Sequence, residues 1–562
     1  MGRNEVVRPV TPVGTRAAAM TAVLILLSAG CTRALRPDEA TPLDTPSPAD
    51  CNKTTGYDVI IVGAGMSGLT AAKELRRGNA DIQVLVLEAT DRIGGRARTL
   101  KKGPPIDLGG AWLHGVATNQ LTGIADSMGF KRVTTHLQEP YFTENGQISR
   151  ETARVFWNIN ERFELLLSEA ARKQLSRQSC KGLASLQSPD DMRDLKLQKW
   201  EQLELMRQFC AHLTAQRSDK ASDYLPIADD PSLGALLSAN AGPLESGRNA
   251  EQTSTVDASE FEADDDALLE KGLGNFVEAY GQGAPVCLNS PVTRITYREG
   301  GVEVEVAGGK RYEGRKALVT VSTGVLKANK ITFDPALPKE KVDAINNLPM
   351  GNLQKVIIDF KDQEGLLPEA DANSWVLYVD AKKEVMAFVI RPLDKNIAIG
   401  FYGGEQARLY EANCNNAPGG KPLPPERQPC DEQAVRRAQE ALGKMYPKTG
   451  IAQAVEKADI YVTRWSLDPW TEGAYSAANP GAYLPEDGGK MPVREQLYRP
   501  LPFSEDEKDN PSHQVFFAGE ACASPMYNGS LAGAYESGLR AARAMLSELY
   551  PRKHVKEGRV ER

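Results

Sequence analysis

The stretch from Tyr57 to Leu75 constrains the fold of this chain more than any other. Val59 to Val62 is an unbroken run of β-branched apolar residues, which is typical of a parallel strand buried on both faces. The run continues directly into Gly63-Ala-Gly65-Met-Ser-Gly68 and then into apolar residues at helical spacing. Gly63 permits a tight turn, Gly65 lets the backbone approach a pyrophosphate, and Gly68 lets the helix pack closely on the strand.

A second apolar strand, Val84 to Leu87, ends in Glu88, twenty residues beyond Gly68. A carboxylate at this position can accept hydrogen bonds from the ribose hydroxyls of an adenosine. A glycine fingerprint alone is weak evidence. The combination predicts a dinucleotide-binding βαβ unit: a strand, the glycines, a helix, a second strand and an acidic residue follow one another at the expected spacing. An unrelated glycine-rich loop would leave Glu88 unexplained.

Two further motifs favour a flavin dinucleotide over a nicotinamide one. They are Ile93-Gly-Gly-Arg-Ala-Arg and Asp107-Leu-Gly-Gly-Ala-Trp-Leu-His-Gly. Together with the βαβ unit, these motifs resemble the flavin-dependent amine oxidases, the family of the monoamine oxidases, polyamine oxidases and lysine-demethylase-like oxidases. The resemblance covers roughly residues 57–545. It implies FAD as the cofactor and an α/β fold, in which a Rossmann-like FAD-binding domain carries an inserted α+β substrate domain.

The resemblance assigns cofactor contacts along the whole chain. Arg96 would lie along the diphosphate, where a guanidinium neutralises phosphate charge. Glu520 and the N–H groups near Ser530 and Leu531 would hold the ribityl and pyrimidine ends of the flavin, and a helix N-terminus there would stabilise the reduced ring. The predicted cofactor-binding residues are Gly63, Gly65, Met66, Ser67, Gly68, Glu88, Ala89, Gly95, Arg96, Gly110, Ala111, Trp112, Val292, Trp465, Glu520, Ser530 and Leu531.

By the same resemblance, four residues would carry the chemistry. Lys355 matches the lysine that holds a water against flavin N5, although a lysine in a strand pattern is by itself more typical of an exposed edge strand. Tyr475 and Tyr527 would form an aromatic cage that aligns the amine, and His114 would contact the substrate amine; core packing and a structural histidine are the alternatives. Ala474 stands where monoamine oxidases carry a cysteine bonded to the flavin, so non-covalent FAD is predicted.

The first 31 residues have the organisation of an export signal. Three arginines precede an apolar stretch, Ala17 to Gly30, which is too short for an ordinary membrane-spanning helix. Small residues before Cys31 resemble a bacterial lipoprotein box, which would lipidate that cysteine. A plain secretory signal and a start at Met20 are the alternatives. We therefore expect an exported protein in the periplasm or at the cell surface, with membrane attachment through Cys31 as a further hypothesis.

The implied activity is oxidation of a polyamine or monoamine with O2, giving an aldehyde, an amine or ammonia, and H2O2. Three alternatives stay open: an L-amino-acid oxidase with a cleft arginine such as Arg391 or Arg464, a flavin amine dehydrogenase with another electron acceptor, and an anchored protein that keeps flavin only structurally. An export signal disfavours a chromatin demethylase. A net charge of −7 gives no support for nucleic-acid binding, and no His/Cys cluster has the spacing of a metal site.

Composition and spacing predict the domain organisation. Residues 32–55 are rich in Pro, Thr, Asp and Ser, which is typical of a flexible linker. The predicted FAD-binding domain comprises residues 56–140, 268–330 and 456–548, the substrate domain comprises 141–267 and 331–455, and a tail follows at 549–562. Helical spacing marks 151–217, and the acidic run at 264–266 is more typical of a solvated loop than of a cation site.

The eight cysteines add a constraint on an exported chain. Cys414 and Cys430 flank a Pro/Gly/Asn-rich loop and can form a disulfide across it. The pairing of the others stays open. Lipidation of Cys31 would leave an odd number, so we expect at least one free thiol.

Overall fold

The predicted strand, glycine turn and helix form as expected. In the computed structural model the strand is Tyr57–Val62 and the helix is Met66–Gly78. The structure describes residues 50–135, 141–144, 146–149, 153, 160, 231–259, 265–415, 422–483, 492–502, 512–524 and 527–551. The elements of these ranges are numbered below in chain order.

The strands are β1 (Tyr57–Val62), β2 (Val84–Leu87), β3 (Trp112–Leu113), β4 (Arg132–Thr134), β5 (Tyr141–Thr143), β6 (Gly146–Gln147), β7 (Ala267–Leu269), β8 (Val286–Cys287), β9 (Val292–Arg298), β10 (Gly301–Val306), β11 (Arg311–Val319), β12 (Thr332–Asp334), β13 (Leu353–Asp359), β14 (Ser374–Val379), β15 (Val385–Ile390), β16 (Ile397–Gly403), β17 (Asp459–Val462) and β18 (Val515–Phe517). The α-helices are α1 (Met66–Gly78), α2 (Gln120–Ser127), α3 (Pro231–Ala239), α4 (Thr255–Ser259), α5 (Leu273–Tyr280), α6 (Thr323–Lys327), α7 (Lys339–Asn347), α8 (Gly404–Glu411), α9 (Glu432–Met445), α10 (Ile451–Ala454), α11 (Val493–Tyr498) and α12 (Leu531–Leu549). A π-helical turn spans Asn240–Leu244, and 3₁₀ turns span Ala250–Gln252, Glu369–Asp371, Pro392–Asp394, Pro429–Asp431, Val455–Lys457 and Glu520–Cys522.

The first large sheet has the order β12-β9-β10-β11-β1-β2-β8 in the described part of the chain, and β18 pairs with β11. Strand β1 lies between β11 and β2 and is parallel to both. Its alternate side chains enter two different cores. Val59 and Ile61 pack with α1 and α12, whereas Ile60 and Val62 pack with the β9–β11 side. Burial on both faces explains why the run has no polar residue.

The second large sheet has the order β17-β13-β16-β15-β14-β5-β6 among the described residues. Its antiparallel strand β13 is flanked by β16 and β17. One face packs on α9 and α10, and the other meets the segment that leads into β3. A small sheet, β3-β7-β4, lies near the same segment. Strand β13 is therefore a central strand that connects the two cores of this half.

The predicted domain boundaries stay predictions. Two strands, however, pair with the sheet of the domain to which they were not assigned. Strand β12, placed in the substrate domain, pairs with β9 of the first sheet. Strand β17, placed in the FAD-binding domain, pairs with β13 of the second sheet. Local composition cannot determine such membership, because a strand's hydrogen-bonding partner is distant in sequence.

The linker prediction for 32–55 is wrong at its C-terminal end. Cys51 forms a disulfide with Cys287, and Glu313 N–H donates to the Thr54 carbonyl at 2.7 Å. These links attach residues 50–55 to the first sheet despite their polar composition. The export signal, Cys31, residues 32–49 and nearly all of 151–217 lie outside the described residues. The predicted tail at 549–562 begins inside α12, because the buried Leu549 ends that helix.

The predicted disulfide between Cys414 and Cys430 is confirmed. Among the described cysteines, Cys522 is a buried free thiol. The odd count depends on lipidation of Cys31, which stays a prediction. Asp431 lies beside the second disulfide, but both sulfurs there are bonded to each other and offer no thiolate pair to a metal. Within the described ranges, every helix is too short or too polar to cross a membrane.

Candidate active site

The three glycines of the first turn have three different geometries. Gly63 takes φ +106°, and a Cβ there would lie 2.7 Å from Thr320 Oγ1. At Gly68 a Cβ would lie 2.0 Å from the Gly63 carbonyl oxygen, so α1 can start this close to β1 only without a side chain. At Gly65 a Cβ would meet no protein atom within 4 Å. The space at Gly65 is therefore open to a ligand, and this cradle fits the pyrophosphate of a dinucleotide.

Glu88 is oriented toward this turn by the backbone. Its Oε2 accepts the Ala64 N–H at 2.8 Å, and its Oε1 accepts the Thr90 N–H at 3.0 Å and hydroxyl at 2.8 Å. A carboxylate has about four acceptor positions, so roughly one remains for a ribose hydroxyl. Binding both hydroxyls, as predicted, requires Thr90 to give up its contact.

The other predicted contacts on this side surround the same turn. Gly95 takes φ +57°, and a Cβ there would lie 3.4 Å from Gly65 Cα. The Ser67 hydroxyl lies 3.5 Å from that of Ser537 on α12, so in this structure it faces a helix. The remaining predicted residues of this side are buried or half-buried: Met66, Gly68, Ala89 and Val292.

Arg96 and Glu520 meet although they come from opposite ends of the chain. Arg96 Nη1 donates to Glu520 Oε1 at 2.9 Å and to the Ala474 carbonyl at 2.9 Å. Glu520 also accepts the Ser476 N–H at 3.1 Å and hydroxyl at 2.8 Å. Glu520 lies in a 3₁₀ turn just beyond β18. The diphosphate role of Arg96 and the ribityl role of Glu520 stay predictions.

The turn before Gly110 is bound by two side chains from the region of the second large sheet. Lys355 Nζ donates to the carbonyls of Asp107 at 2.9 Å and Gly109 at 2.6 Å. Trp465 Nε1 donates to the intervening Leu108 carbonyl at 3.2 Å. Three consecutive carbonyls are thus bound by Lys355 and Trp465. Gly110, which follows, is exposed, so its backbone is accessible to a ligand.

Lys355 itself is a buried lysine in the central strand β13, with 6% of its surface exposed. The exposed-edge interpretation of this residue is wrong, because β13 has a neighbour on each side. Burial lowers the pKa of Lys355 to about 8, and Asp107 opposes that shift. Its Nζ also lies 5.9 Å from the centre of the Trp112 ring and 5.3 Å from that of Phe401. A narrow apolar cavity adjoins these groups, lined by Ala111, Trp112, Leu268, Ile399 and Phe401.

The two predicted cage tyrosines lie on loops that touch. Gly529 takes φ +65°, and a Cβ there would lie 3.2 Å from Cδ2 of Tyr475. Tyr475 Oη donates to the Glu245 carbonyl at 2.6 Å, and Tyr527 Oη makes a longer contact with the Thr118 carbonyl at 3.4 Å. Both rings are half-buried. The structure therefore brings Tyr475 and the Tyr527 loop together, while their contact with a substrate stays a prediction.

His114 has an acidic partner that the sequence did not indicate. Its Nδ1 lies 2.9 Å from Asp266 Oδ2. The solvated-loop interpretation of the acidic run is therefore wrong at Asp266, which is half-buried, whereas Asp265 is exposed and Asp264 lies outside the described residues. Sheet register explains the pairing: Leu113 lies opposite Ala267 in antiparallel strands, so the next residues on either side also meet.

Helix α12 begins as predicted beside the Tyr527 loop. Its N-cap Ser530 accepts the Gly533 N–H at 3.1 Å through the hydroxyl and donates that hydroxyl to the Tyr527 carbonyl at 2.7 Å. Leu531 is half-buried against the α1 core. The helix N-terminus and the tyrosine loop are therefore one structural unit.

Asp107 begins the Asp107-Leu-Gly-Gly-Ala-Trp-Leu-His-Gly motif, but the sequence did not indicate its role. Its carboxylate accepts the N–H groups of Leu273 at 2.8 Å and Gly274 at 3.0 Å, and the Thr99 hydroxyl at 2.6 Å. Asp107 thus caps the N-terminus of α5 from a distant segment, which favours a negative charge. Burial raises its pKa despite these bonds. No local signal in the sequence identifies a cap that comes from another segment.

Arg464, one candidate for binding a substrate carboxylate, is already engaged. Its Nε donates to Asp431 Oδ1 at 2.8 Å, its Nη2 contacts Asp431 Oδ2, and its Nη1 donates to the Pro424 carbonyl at 3.0 Å. Arg391 lies in a left-handed backbone conformation at φ +48°, and its Nη2 contacts the Asp394 carbonyl at 3.4 Å. The bidentate pair with Asp431 leaves Arg464 without a free donor face for a substrate.

Comparison with known sequences agrees with this arrangement. Residues 66–546 match the family model described as flavin containing amine oxidoreductase. Polyamine oxidase 4 of Oryza sativa subsp. japonica is 30% identical over 502 residues, which are 86% of this chain and 87% of that protein. Polyamine oxidase 1 of Zea mays is 28% identical over 521 residues, covering 88% of this chain and 91% of the relative. Lysine-specific histone demethylase 2 of Homo sapiens is 27% identical over 86% of this chain but only 53% of its own length.

Comparison with solved structures supports the same fold. Putrescine oxidase bound to putrescine superposes with a TM-score of 0.60 at 19% identity, covering 88% of this chain and 100% of that chain. Cyclohexylamine oxidase from Brevibacterium oxydans gives 0.61 at 20% identity, covering 88% and 99%. At these identities the likeness concerns the fold alone.

Proposed function

The chain belongs to the flavin-containing amine oxidoreductases, and on that premise we propose that it is an FAD-dependent oxidase of small amines that uses O2 as electron acceptor. Its products would be an aldehyde, a smaller amine or ammonia, and H2O2. One observation carries the proposal: the buried Lys355 and Trp465 hold the three carbonyls that precede Gly110. The open cradle at Gly65 follows β1 of the first large sheet.

The proposed mechanism divides the work between cofactor and protein. When bound, the flavin supplies the oxidation by accepting a hydride equivalent from the carbon next to the amine nitrogen. Tyr475 and Tyr527 orient the amine with their rings. Lys355, whose pKa burial lowers to about 8, can hold or release a proton near neutral pH. The N-terminus of α12 favours negative charge beside it.

We propose non-covalent FAD, because Ala474 offers no thiol to bond the ring. Acid precipitation of the purified protein should leave yellow FAD in the supernatant. Flavin that stays in the protein pellet would contradict this part of the proposal.

Polyamines, putrescine and cyclohexylamine are the substrates named for the relatives and neighbours above. We propose a substrate of this class, with the His114–Asp266 pair as the polar group near one end of the site. The L-amino-acid oxidase alternative loses Arg464 as its carboxylate-binding candidate, since Arg464 is bound to Asp431. Arg391 stays its other candidate.

Anaerobic bleaching of the flavin tests the proposal directly. The purified, FAD-loaded protein is mixed without oxygen with spermidine, putrescine, cyclohexylamine and L-leucine in separate reactions, and O2 is then admitted. We expect bleaching by at least one of the three amines, followed by recolouring with formation of H2O2. Bleaching by L-leucine alone, recolouring only with an added dye, or protein that stays colourless in excess FAD would each refute it.

We also propose export with anchoring at Cys31. Disulfides support an oxidising compartment, and two connect described cysteines, Cys51 with Cys287 and Cys414 with Cys430. Cell fractionation should find the protein in the membrane fraction, and Cys31→Ser should move it to the soluble fraction. Recovery of the unaltered protein from the cytoplasm, with free thiols at these four positions, would contradict export.

A further inference from the structure

A buried ion pair that belongs to no predicted site joins two distant segments. Arg494 of α11 and Asp257 of α4 are linked by contacts of 2.6 Å (Nη2 to Oδ2) and 3.3 Å (Nε to Oδ1). Their side chains are 3% and 2% exposed. Taking two charges out of water is expensive, and apolar residues of similar size are often as stable in such places. Stability alone therefore does not account for the pair, whereas its hydrogen bonds to neighbouring loops can.

Arg494 hydrogen-bonds to the loop that carries Tyr475, the first cage tyrosine. Arg494 Nη1 donates to the Ser476 hydroxyl at 3.0 Å and to the Ala521 carbonyl at 3.1 Å, and Nη2 contacts the Ser476 carbonyl at 3.3 Å. Ser476 follows Tyr475, and Ala521 follows Glu520. Arg494 thus fixes the residue after Tyr475 and the residue after Glu520 with one guanidinium.

The aspartate reaches the loop that carries the second cage tyrosine. Asp257 Oδ2 accepts the Ala478 N–H at 2.5 Å, and Oδ1 accepts the Tyr483 hydroxyl at 2.7 Å. Asn528 Nδ2 lies 3.4 Å from the same Oδ1 and 3.5 Å from the Asp257 carbonyl. Asn528 follows Tyr527. The pair therefore contacts both tyrosine-bearing loops, at the residues that follow Tyr475 and Tyr527.

We propose that the Asp257–Arg494 pair is the positioning element of the aromatic cage and sets the separation of the Tyr475 and Tyr527 loops. The inference rests on the proposed function, since it assumes that these rings orient an amine. Both residues act through the loops and touch no substrate. A charged, multiply hydrogen-bonded pair suits this purpose better than apolar packing, because each hydrogen bond fixes a direction as well as a distance.

The test compares two buried ion pairs of the same protein. Asp257→Asn keeps the size of the side chain and removes its charge. Asp431→Asn makes the same change in the Arg464–Asp431 pair, whose side chains are 4% and 3% exposed. This pair bonds to Gln428 and Pro424, away from the two cage loops. Benzyltrimethylammonium serves as the probe, because a quaternary ammonium binds between aromatic rings. Its nitrogen has no lone pair to form an iminium, so loss of hydride from the neighbouring carbon is blocked. Its affinity is read from the change in the flavin absorbance spectrum.

We expect Asp257→Asn to weaken probe binding at least tenfold and to slow anaerobic reduction by the best amine substrate at least tenfold. FAD affinity and the rate of recolouring with O2 should stay within about twofold. Asp431→Asn should lower resistance to urea to a similar degree and leave probe affinity unchanged. The inference would be overturned if the two variants bound the probe with equal affinity or lost equal shares of the rate of anaerobic reduction.

A milder variant covers the case in which Asp257→Asn does not fold. Tyr483→Phe keeps both charges and removes a hydroxyl that accepts from Arg494 Nε at 2.9 Å and donates to Asp257. We expect it to retain FAD and to weaken probe binding by two- to fivefold, and an unchanged affinity would refute the inference. Failure of the proposed function is distinguishable, because the unaltered protein would then bleach with no amine whatever these variants do.

Discussion

Replacing Lys355 by methionine removes the buried ammonium and keeps a side chain of similar shape. Burial lowers the pKa of this lysine from 10.5 to about 8. Between these two pH values the unfolded chain keeps a proton that the folded protein has released, so the free energy of unfolding must rise with pH. The slope is about 1.4 kcal/mol per pH unit, which amounts to about 3 kcal/mol over the window. Below about pH 8 both states hold the proton, and the burial penalty is fully present.

The assay is urea unfolding of both proteins at saturating FAD, at pH 7.5 and at pH 10.5. The difference in unfolding free energy between unaltered protein and Lys355→Met should change by about 3 kcal/mol between the two pH values, because the variant lacks this group. The two unfolding free energies should lie closer together at pH 7.5 than at pH 10.5, because two effects of methionine then oppose each other. Methionine avoids the penalty of burying a charge, but it leaves the Asp107 and Gly109 carbonyls without their donor.

The catalytic consequence is measured on the same two proteins. Lys355→Met should remain yellow, because Trp465 still holds the Leu108 carbonyl. Turnover should fall by about 10²- to 10⁴-fold, the usual range when a positioned proton-transfer group is lost. An ionisation near pH 8 in the unaltered protein should vanish in the variant. Identical pH dependence of stability would refute the burial argument, and unchanged turnover would remove Lys355 from the mechanism.

Two further perturbations follow from the same geometry. Gly65→Val should raise the dissociation constant for FAD at least about 100-fold with little change in the melting temperature of the FAD-free protein, since the new side chain starts where no protein atom lies within 4 Å. Gly68→Ala should instead lower the yield of folded protein, because its Cβ would lie 2.0 Å from a carbonyl oxygen. Loss of folding in Gly65→Val, with loss of FAD affinity alone in Gly68→Ala, would contradict the cradle. Replacing Cys51 and Cys287 by serine should destabilise the protein by about 2 kcal/mol more than replacing Cys414 and Cys430, because the closed loops span 236 and 16 residues; equal losses in urea unfolding would argue against the loop-closure account.

Much of the site was predictable because its motifs are local. Four features depend on residues that are close together in sequence: the glycine turn, the start of α1, strand β2 just before Glu88, and the N-cap of α12. The buried position of Lys355 was harder. Its strand pattern alone favoured an exposed edge, and only the resemblance to the flavin-dependent amine oxidases indicated otherwise. The edge interpretation failed because both neighbours of β13 come from later in the chain.

The sequence by itself determined the elements and the chemistry of their ends, because hydrophobic period, glycine and capping residues act over short distances. Only the tertiary structure decided which charges meet. Arg96 contacts Glu520 at a sequence separation of 424 residues, Arg494 contacts Asp257 at 237, and His114 contacts Asp266 at 152. No local pattern marks such a pair, since each partner is an ordinary polar residue until sheet register and helix packing bring the two together. The proposed positioning of the cage was accessible only from those contacts.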